Sequence, residues 1–528
     1  MTRFRVLVTD TLADSGLAIL QRAEDVELVY SPGLKGRDLL AAVAESDAIV
    51  TRSGTSVTPE LVGAGSRLRI VGRAGVGLDN VDVAACTSRG ILVINAPTAN
   101  IMSATEHTMA MLLSLCRNIP EADASTKRGD WVRSKFLGTE LNGKTLGVIG
   151  LGRIGTRVAV RAKAFGMQVI ACDPYIPPTV AENVGATMVT LDDLIRQAGV
   201  ITVHTPLTDE TRGMIGAAEI ARMHDGVILV NCARGGIYDE IALAAALESG
   251  KVAGAAIDVY ESEPPAKDHP LLKAKNIVLS PHIGANTIEA QDRVAVQTAE
   301  MVVEALRGSI FVSAVNLPFE GLADANAAPL INLAEKLGLF AAQIVNGPVS
   351  RAAVELWGLD ERLTRILSVA ALKGLLIPHL AESVNFVNAE QVAQNRGIDV
   401  SSTRHPTPHD YTNLITFRAA SANDEVIVSG TLFSEKNQRI VSVNNFHVEF
   451  RPEGHLIYVI NKDVPGVVGK VGSLLGDREI NIAEYNLARS RSGGKAMAII
   501  TIDSPLDVQT LAFLRSFKEM EEVRQVRL

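Results

Sequence analysis

The sequence predicts an α/β chain in which one doubly wound domain is inserted into another, followed by an α+β segment and a small βαββαβ unit. Short apolar runs alternate with amphipathic stretches over the first 285 residues, as parallel strands joined by helices do. The alternation breaks at a long helical stretch near Asn100 and restarts at Lys144, so two sets of βα units share the region. After Pro318 the pattern gives way to mixed helical and β-rich segments.

In the first set, RVLVTD (5–10), DAIVTR (47–52), LRIVGRAG (68–75) and ILVINAP (91–97) read as buried strands, with DLLAAVAES among the helices between them. The helix near Asn100 has a capping-box pattern in Ser103 and Glu106, or begins somewhat earlier. In the second set, TLGVIG, MQVIACD, VITVHTP (200–206), GVILVNCAR (226–234), AGAAIDVY (253–260) and NIVLSP (276–281) are strands, and RIGTRVAVRAKAFG is a helix. Residues 286–308 form a second long helix ending near Gly308. Each set has enough strands to close its own core.

Pro318 and GLADANAAP read as a linker. Beyond it, INLAEKLGLFAAQIV is helical and DEVIVSGTLFSEKNQRIVSVNNFHVEF is β-rich. The last 75 or so residues run LIYVIN (strand), PGVVGKVGSLLGD (helix), INIAEYNLARS and KAMAIITID (strands around a Gly493-Gly494 turn), DVQTLAFLRSF (helix) and EVRQVRL (strand). That order is the split-βαβ, ferredoxin-like one.

Bulk properties narrow the function. A chain of 528 residues exceeds one core, and 47% apolar content supports several. A net charge of −8 argues against a general nucleic-acid binder. Cys86, Cys116, Cys172 and Cys232 form no CxxC pair, which suits reduced thiols. The N-terminus has no signal-peptide pattern, and no apolar run reaches the ~18 residues of a membrane span. The expectation is a cytoplasmic protein that binds neither membrane nor nucleic acid.

Residues 148–155, VIGLGRIG, hold a G-x-G-x-x-G turn at Gly150, Gly152 and Gly155, after a strand and opening a helix. Such a turn seats a diphosphate on the helix N-terminus. Asp173 ends the next strand, 18 residues after Gly155. A carboxylate there accepts from ribose hydroxyls and repels a 2′-phosphate, so NAD is expected rather than NADP.

Three segments follow predicted strands: NCARGG (231–236), DVYESEPP (258–265) and SPHIGA (280–285). Strand C-termini of open α/β sheets face the ligand crevice. Arg234 suits a carboxylate with an adjacent carbonyl. His282 can move a proton near neutral pH. Glu263 can orient the imidazole and stabilise its protonated form.

Together GLGRIG, Asp173-Pro174-Tyr175, VHTPL, NCARGG, DVYESEP and PHIGA resemble the D-isomer-specific 2-hydroxyacid dehydrogenase family. GRAGVGLDNVD (72–82), NAPTAN (95–100), FLGTELNGKTLG (136–147) and the C-terminal extension resemble its long-form branch, which acts on 3-phosphoglycerate. The resemblance implies a Rossmann-type NAD domain (99–285) inserted into a flavodoxin-like substrate domain (1–98 and 286–317). An α+β intervening domain (318–452) and a ferredoxin-like ACT domain (453–528) follow. It implies Arg234, Glu263 and His282 as the catalytic trio. It implies Val76, Arg153, Ile154, Asp173, Thr205, Cys232, Ala233, Asp258, Ile283, Gly284 and Ala285 as cofactor contacts, with no redox role for Cys232. Substrate positions are Arg52, Ser53, Gly75 and Asn100, with Arg133 and Lys135 approaching the cleft, across a dimer in some relatives. The implied reaction is NAD-dependent oxidation of D-3-phosphoglycerate to 3-phosphohydroxypyruvate, which opens serine synthesis, in a homotetramer.

NKDVPGVVGKVGSLLGDREINIAEYN (461–486) resembles the ACT module, which binds amino acids. L-Serine is the implied effector, with Asp463 for its ammonium group and Asn481 as a clamp. In relatives the intervening domain binds an anion, for which Arg439 and Arg451 are candidates. A hydroxypyruvate or glyoxylate reductase is disfavoured by the ACT-like tail, and an NAD-sensing co-repressor by the intact trio and the acidic charge balance.

Overall fold

The computed structural model describes residues 3–308, 314–319, 327–380, 384–407, 410–434, 436–489 and 494–528. Most of the GLADANAAP linker, and Gly493 of the expected hairpin turn, lie outside the described residues.

The first sheet holds β1 (Phe4–Val8), β2 (Val26–Tyr30), β3 (Ala48–Thr51), β4 (Ile70–Arg73) and β5 (Leu92–Asn95). All are parallel, in the order β2-β1-β3-β4-β5, which is the flavodoxin-like arrangement. Helices cover both faces, so the inner strands are largely apolar; β3 is buried at all four positions. The strand β2 stands at the edge with only Val26 buried, and its sequence gives a correspondingly weak signal.

The second sheet holds β6 (Thr145–Ile149), β7 (Gln168–Cys172), β8 (Thr187–Met188), β9 (Val200–Val203), β10 (Val227–Asn231), β11 (Val252–Ile257) and β12 (Ile277–Leu279). Its parallel order, β12-β11-β10-β9-β6-β7-β8, reverses direction between β6 and β9, as in the Rossmann fold. The helix Ile101–Cys116 packs into this core through Met109, Leu112 and Leu115. It starts at Asn100 with no side-chain cap. Ser103 therefore lies inside the helix, and its hydroxyl donates to the Gly284 carbonyl at 2.8 Å instead of capping. The helix Ile288–Leu306 returns to the first sheet, burying Val294, Ala295, Ala299, Val302 and Leu306 there.

The third sheet holds β13 (Val349–Trp357), β14 (Asp399–His405), β15 (Leu414–Ser421), β16 (Glu425–Leu432), β17 (Gln438–Val443) and β18 (Phe446–Phe450). Only the β13–β14 pair is parallel. The helices Ala328–Ile344 and Thr364–Leu376 cover it. The fourth sheet holds β19 (His455–Lys462), β20 (Ile482–Arg489), β21 (Lys495–Ile502) and β22 (Met520–Arg527), in the ferredoxin-like order β20-β21-β19-β22. One of its faces carries the helices Val467–Asp477 and Val508–Arg515. Its other face joins the core of the third sheet. Phe340 packs there against both Phe450 (5.7 Å) and Tyr458 (6.3 Å), so the two C-terminal units share one apolar interior.

Candidate active site

Both parallel sheets aim the C-terminal ends of their strands at one cleft of about 640 Å³. The first sheet supplies Arg52 and Ser53 after β3, Arg73 at the end of β4 and Ala74 to Gly77 beyond it. The second supplies Arg234 after β10, Glu263 after β11 and His282 after β12. Asn100, Ile283 and Ala285 also line it.

Asp10, just beyond β1, fixes the turn that bears Arg52. Its Oδ2 accepts the Arg52 N–H at 2.5 Å and the Thr51 hydroxyl at 2.9 Å, and its Oδ1 accepts the Thr55 hydroxyl at 3.1 Å. Asn80 donates to the carbonyls of Arg52 and Thr55, both at 2.6 Å. On the other side, Asn231 ties the NCARGG turn by donating to the Arg234 carbonyl at 2.8 Å and accepting the Ala233 N–H at 3.0 Å. The Arg234 guanidinium then rests on the first sheet: a Cβ on Gly77 would lie 2.5 Å from its Nη2. A side chain at position 77 would push the guanidinium aside.

The His282 Nδ1 lies 2.7 Å from Glu263 Oε2. A carboxylate only accepts, so Nδ1 carries the hydrogen and Nε2 is left for the cleft. Glu263 is itself held, its Oε1 accepting the Tyr260 N–H at 3.1 Å. His282 has φ +53°, a left-handed conformation that costs a non-glycine residue on the order of 1 kcal/mol or more. Asp258 maintains it. Its carbonyl accepts the His282 N–H at 2.8 Å, and its carboxylate accepts those of Ile283 and Gly284, each at 2.9 Å. The same carboxylate, 1% exposed, takes the Ser280 hydroxyl at 2.6 Å and His107 at 3.1 Å. Burial pushes the Asp258 carboxyl up, but the bonds from His107, Ser280 and Ile283 outweigh it and hold it below the usual range.

Three features here escaped the sequence reading. Arg73 ends β4 and enters the cleft with Arg52 and Arg234. Burial, then the neighbouring Arg234 charge, push its guanidinium below the ordinary arginine value, with Asp79 opposing. Its Nε is buried with no hydrogen-bond partner among the described residues. Its place at a strand C-terminus was the available signal. His107, within the first long helix, gave none. Behind the Glu263 loop, buried Glu240 accepts the Glu261 N–H at 2.6 Å and pairs with His269 at 3.1 Å.

Arg133 and Lys135 do not line this chain's cleft. They sit on an exposed 3-10 turn, Arg133–Phe136, between Trp131 (78% exposed) and Leu137 (90%). None of the four residues of that turn is buried.

The dinucleotide turn follows β6 at the order reversal of the second sheet. A Cβ on Gly155 would meet the Gly150 carbonyl oxygen at 2.1 Å, whereas one on Gly152 would point into open space, where a diphosphate fits. Arg153 and Ile154 open the helix Arg153–Ala164. Asp173 accepts the N–H groups of Leu151 (2.9 Å) and Tyr175 (3.0 Å), one per oxygen, which leaves acceptor capacity for ribose hydroxyls. The Thr205 hydroxyl beside the turn is buried without a partner among the described residues. This donor set fits a bound dinucleotide. Burial and the Asp258 charge push the Cys232 thiol up to about 12, which leaves it a weak nucleophile.

In the C-terminal unit, Asp463 follows β19 and pairs with Arg489 at 3.4 Å. Asn481, just before β20, donates to Asp503 at 2.8 Å. Arg439 pairs with Glu449 at 3.4 Å, and Arg451 lies 3.9 Å from Glu453. Among the described residues, no helix is long and apolar enough to cross a membrane, and no cluster of three His, Cys, Asp or Glu side chains is placed to hold a metal.

The chain resembles known proteins over nearly its full length. Residues 109–284 match the family model of the D-isomer specific 2-hydroxyacid dehydrogenase NAD binding domain, and residues 326–444 that of the D-3-phosphoglycerate dehydrogenase intervening domain. The chain is 41% identical to D-3-phosphoglycerate dehydrogenase of Bacillus subtilis (strain 168), over 99% of this chain and 100% of that one. It is 42% identical to the enzyme of that name from Archaeoglobus fulgidus, over 95% of each chain. Among solved structures, D-lactate dehydrogenase from Aquifex aeolicus, complexed with NAD and lactic acid, superimposes with a TM-score of 0.52 at 31% identity. That match covers 57% of this chain and 96% of that one.

Proposed function

Since the chain belongs to the D-3-phosphoglycerate dehydrogenase family of NAD-dependent oxidoreductases, we propose that it oxidises D-3-phosphoglycerate to 3-phosphohydroxypyruvate, the first step of the phosphorylated route to L-serine. The observation that carries this reading is the pairing of His282 with Glu263 opposite three arginines, Arg52, Arg73 and Arg234, in one cleft. A substrate with both a carboxylate and a phosphate needs that much positive charge.

Arg234 and the amides around Gly75 to Gly77 bind the carboxylate, and Arg52 and Arg73 the phosphate. The Nε2 of His282 accepts the C2 hydroxyl proton, while Glu263 fixes the ring and stabilises the imidazolium that forms. Gly150 to Ile154, Asp173 and Thr205 hold NAD, which when bound accepts the hydride from C2. Holding C2 in one orientation supplies much of the rate gain. The test is NAD reduction by the full chain with D-3-phosphoglycerate, D-glycerate and D-lactate. A preference for either unphosphorylated acid would overturn the assignment.

The fourth sheet is the proposed seat of L-serine feedback, with Asp463 and Asn481 as ligands, and the assembly is proposed to be a homotetramer that brings Arg133 and Lys135 to a neighbour's cleft. Resemblance of residues 461–486 to the ACT module supports the first. Activity unchanged by L-serine in the folded enzyme would remove the regulatory reading, and a monomer in light scattering the quaternary one.

A further inference from the structure

A second cavity, of about 710 Å³, lies between the first sheet's domain and the helices over the third sheet. One wall is the chain entering β4 and the turn after the helix Val83–Ser88; the other is Lys373 with the segment 385–388. The walls touch at Gly90. Its carbonyl accepts the Asn385 side chain at 2.6 Å, and a Cβ there would lie 2.7 Å from Asn385 Nδ2 and 2.9 Å from Asn388 Nδ2.

The charge in this cavity is one-sided. Arg67, Arg69, Arg89 and Lys373 line it, and no Asp or Glu does so among the described residues, in a chain of net charge −8. Arg67 is neutralised by Asp47 at 2.9 Å and Lys373 by Glu335 at 2.7 Å. The other two are not. Arg89 donates to the Val62 carbonyl, which carries no net charge. The Arg69 guanidinium lies 5.5 Å over the Phe4 ring. Neither has a carboxylate within ion-pair distance among the described residues. Two guanidiniums without counter-charge, a few polar donors such as Asn385, and the apolar Leu68, Leu92 and Phe386 are the composition of a small-ligand site. The field of these two uncompensated cations selects anions.

We propose that this junction binds a small multivalent anion, a phosphorylated or carboxylated metabolite, through Arg69 and Arg89, bridging the first domain and the intervening one. The site is separate from the catalytic cleft, and none of its residues belongs to the proposed catalytic machinery.

Calorimetric titration of the full chain with inorganic phosphate, and separately with citrate, tests the idea. An Arg73→Gln/Arg234→Gln background weakens anion binding in the cleft. At least one of the two probes is expected to bind that background, and Arg69→Gln/Arg89→Gln added to it is expected to weaken that probe at least tenfold. Loss confined to phosphate identifies a phosphoryl ligand, and loss confined to citrate a carboxylate. Arg69→Gln/Arg89→Gln alone should leave KM for the oxidised substrate within twofold of wild type. Ser88→Glu, which adds a negative charge at the exposed rim and removes no cation, is a second variant expected to weaken the same probe. Absence of binding by both probes in the cleft-weakened background, or binding unaltered in both junction variants, would overturn the proposal.

Discussion

The Nδ1 of His282 sits 2.7 Å from Glu263 Oε2, although the two residues follow different strands and His282 holds a left-handed backbone. If this pair moves the substrate proton, His282→Ala should lower kcat by ~10²–10⁴ and leave NAD affinity unchanged. Glu263→Gln should cost less, since Nε2 remains. Stopped-flow NADH formation with parallel NAD titration measures both; wild-type turnover in His282→Ala would end the assignment.

Arg73, whose Nε is buried with no hydrogen-bond partner among the described residues, is expected to bind the phosphate. Arg73→Gln should weaken D-3-phosphoglycerate binding by about 1.5–3 kcal/mol, the usual worth of a hydrogen bond to a charged group, while barely altering KM for D-glycerate. Equal losses on both substrates would assign Arg73 to scaffolding.

Asp173 accepts two backbone N–H groups and is expected to accept the ribose hydroxyls as well. Asp173→Ser should raise KM for NAD roughly tenfold or more, a loss of ~1.5–3 kcal/mol, and narrow its advantage over NADP. An unchanged NAD/NADP ratio of kcat/KM would count against this role.

Glu240 and His269 anchor the loop that carries Glu263. Glu240→Gln keeps the size but loses the charge against His269. A destabilisation of ~1–3 kcal/mol is expected, with a fall in kcat and little change in KM for NAD. Thermal unfolding and steady-state kinetics read the two effects, and a stability loss at full kcat would make the pair purely structural.

Burial pushes His204 down to about 4 from an ordinary 6.5. Between those values the unfolded chain binds the proton and the folded chain does not, so protonation favours unfolding. The stability at stake is complete above pH 6.5 and is lost as the pH falls toward 4. His204→Asn keeps a polar partner for the Thr202 hydroxyl, 3.1 Å from the ring, and should flatten the fall in apparent Tm across that window. Parallel curves for the two proteins would exclude His204 as the cause.

The sequence by itself determined the two βα sets, the dinucleotide turn and three chemically apt side chains at strand ends. Parallel strands buried on both faces are largely apolar, so β3, β6 and β10 are legible as runs. Local turn chemistry is likewise written in neighbouring residues, as at Gly150 to Gly155. The edge strand β2 and the two-residue β8 were not legible, because a half-exposed or very short strand leaves no such run.

What only the tertiary structure decided depends on groups distant in sequence. That Arg73 shares one cleft with Arg52 and Arg234 follows from the place of β4 beside β3 in the first sheet and the meeting of the two sheets' strand ends. That Ser103 serves Gly284 rather than a helix end follows from a contact across 181 residues. The common interior of the third and fourth sheets rests on Phe340 meeting Tyr458. Neither partner's local pattern encodes the other, because apolar burial is non-directional and selects a partner only when the elements pack. Arg133 and Lys135 stay on an exposed turn, apart from this chain's cleft.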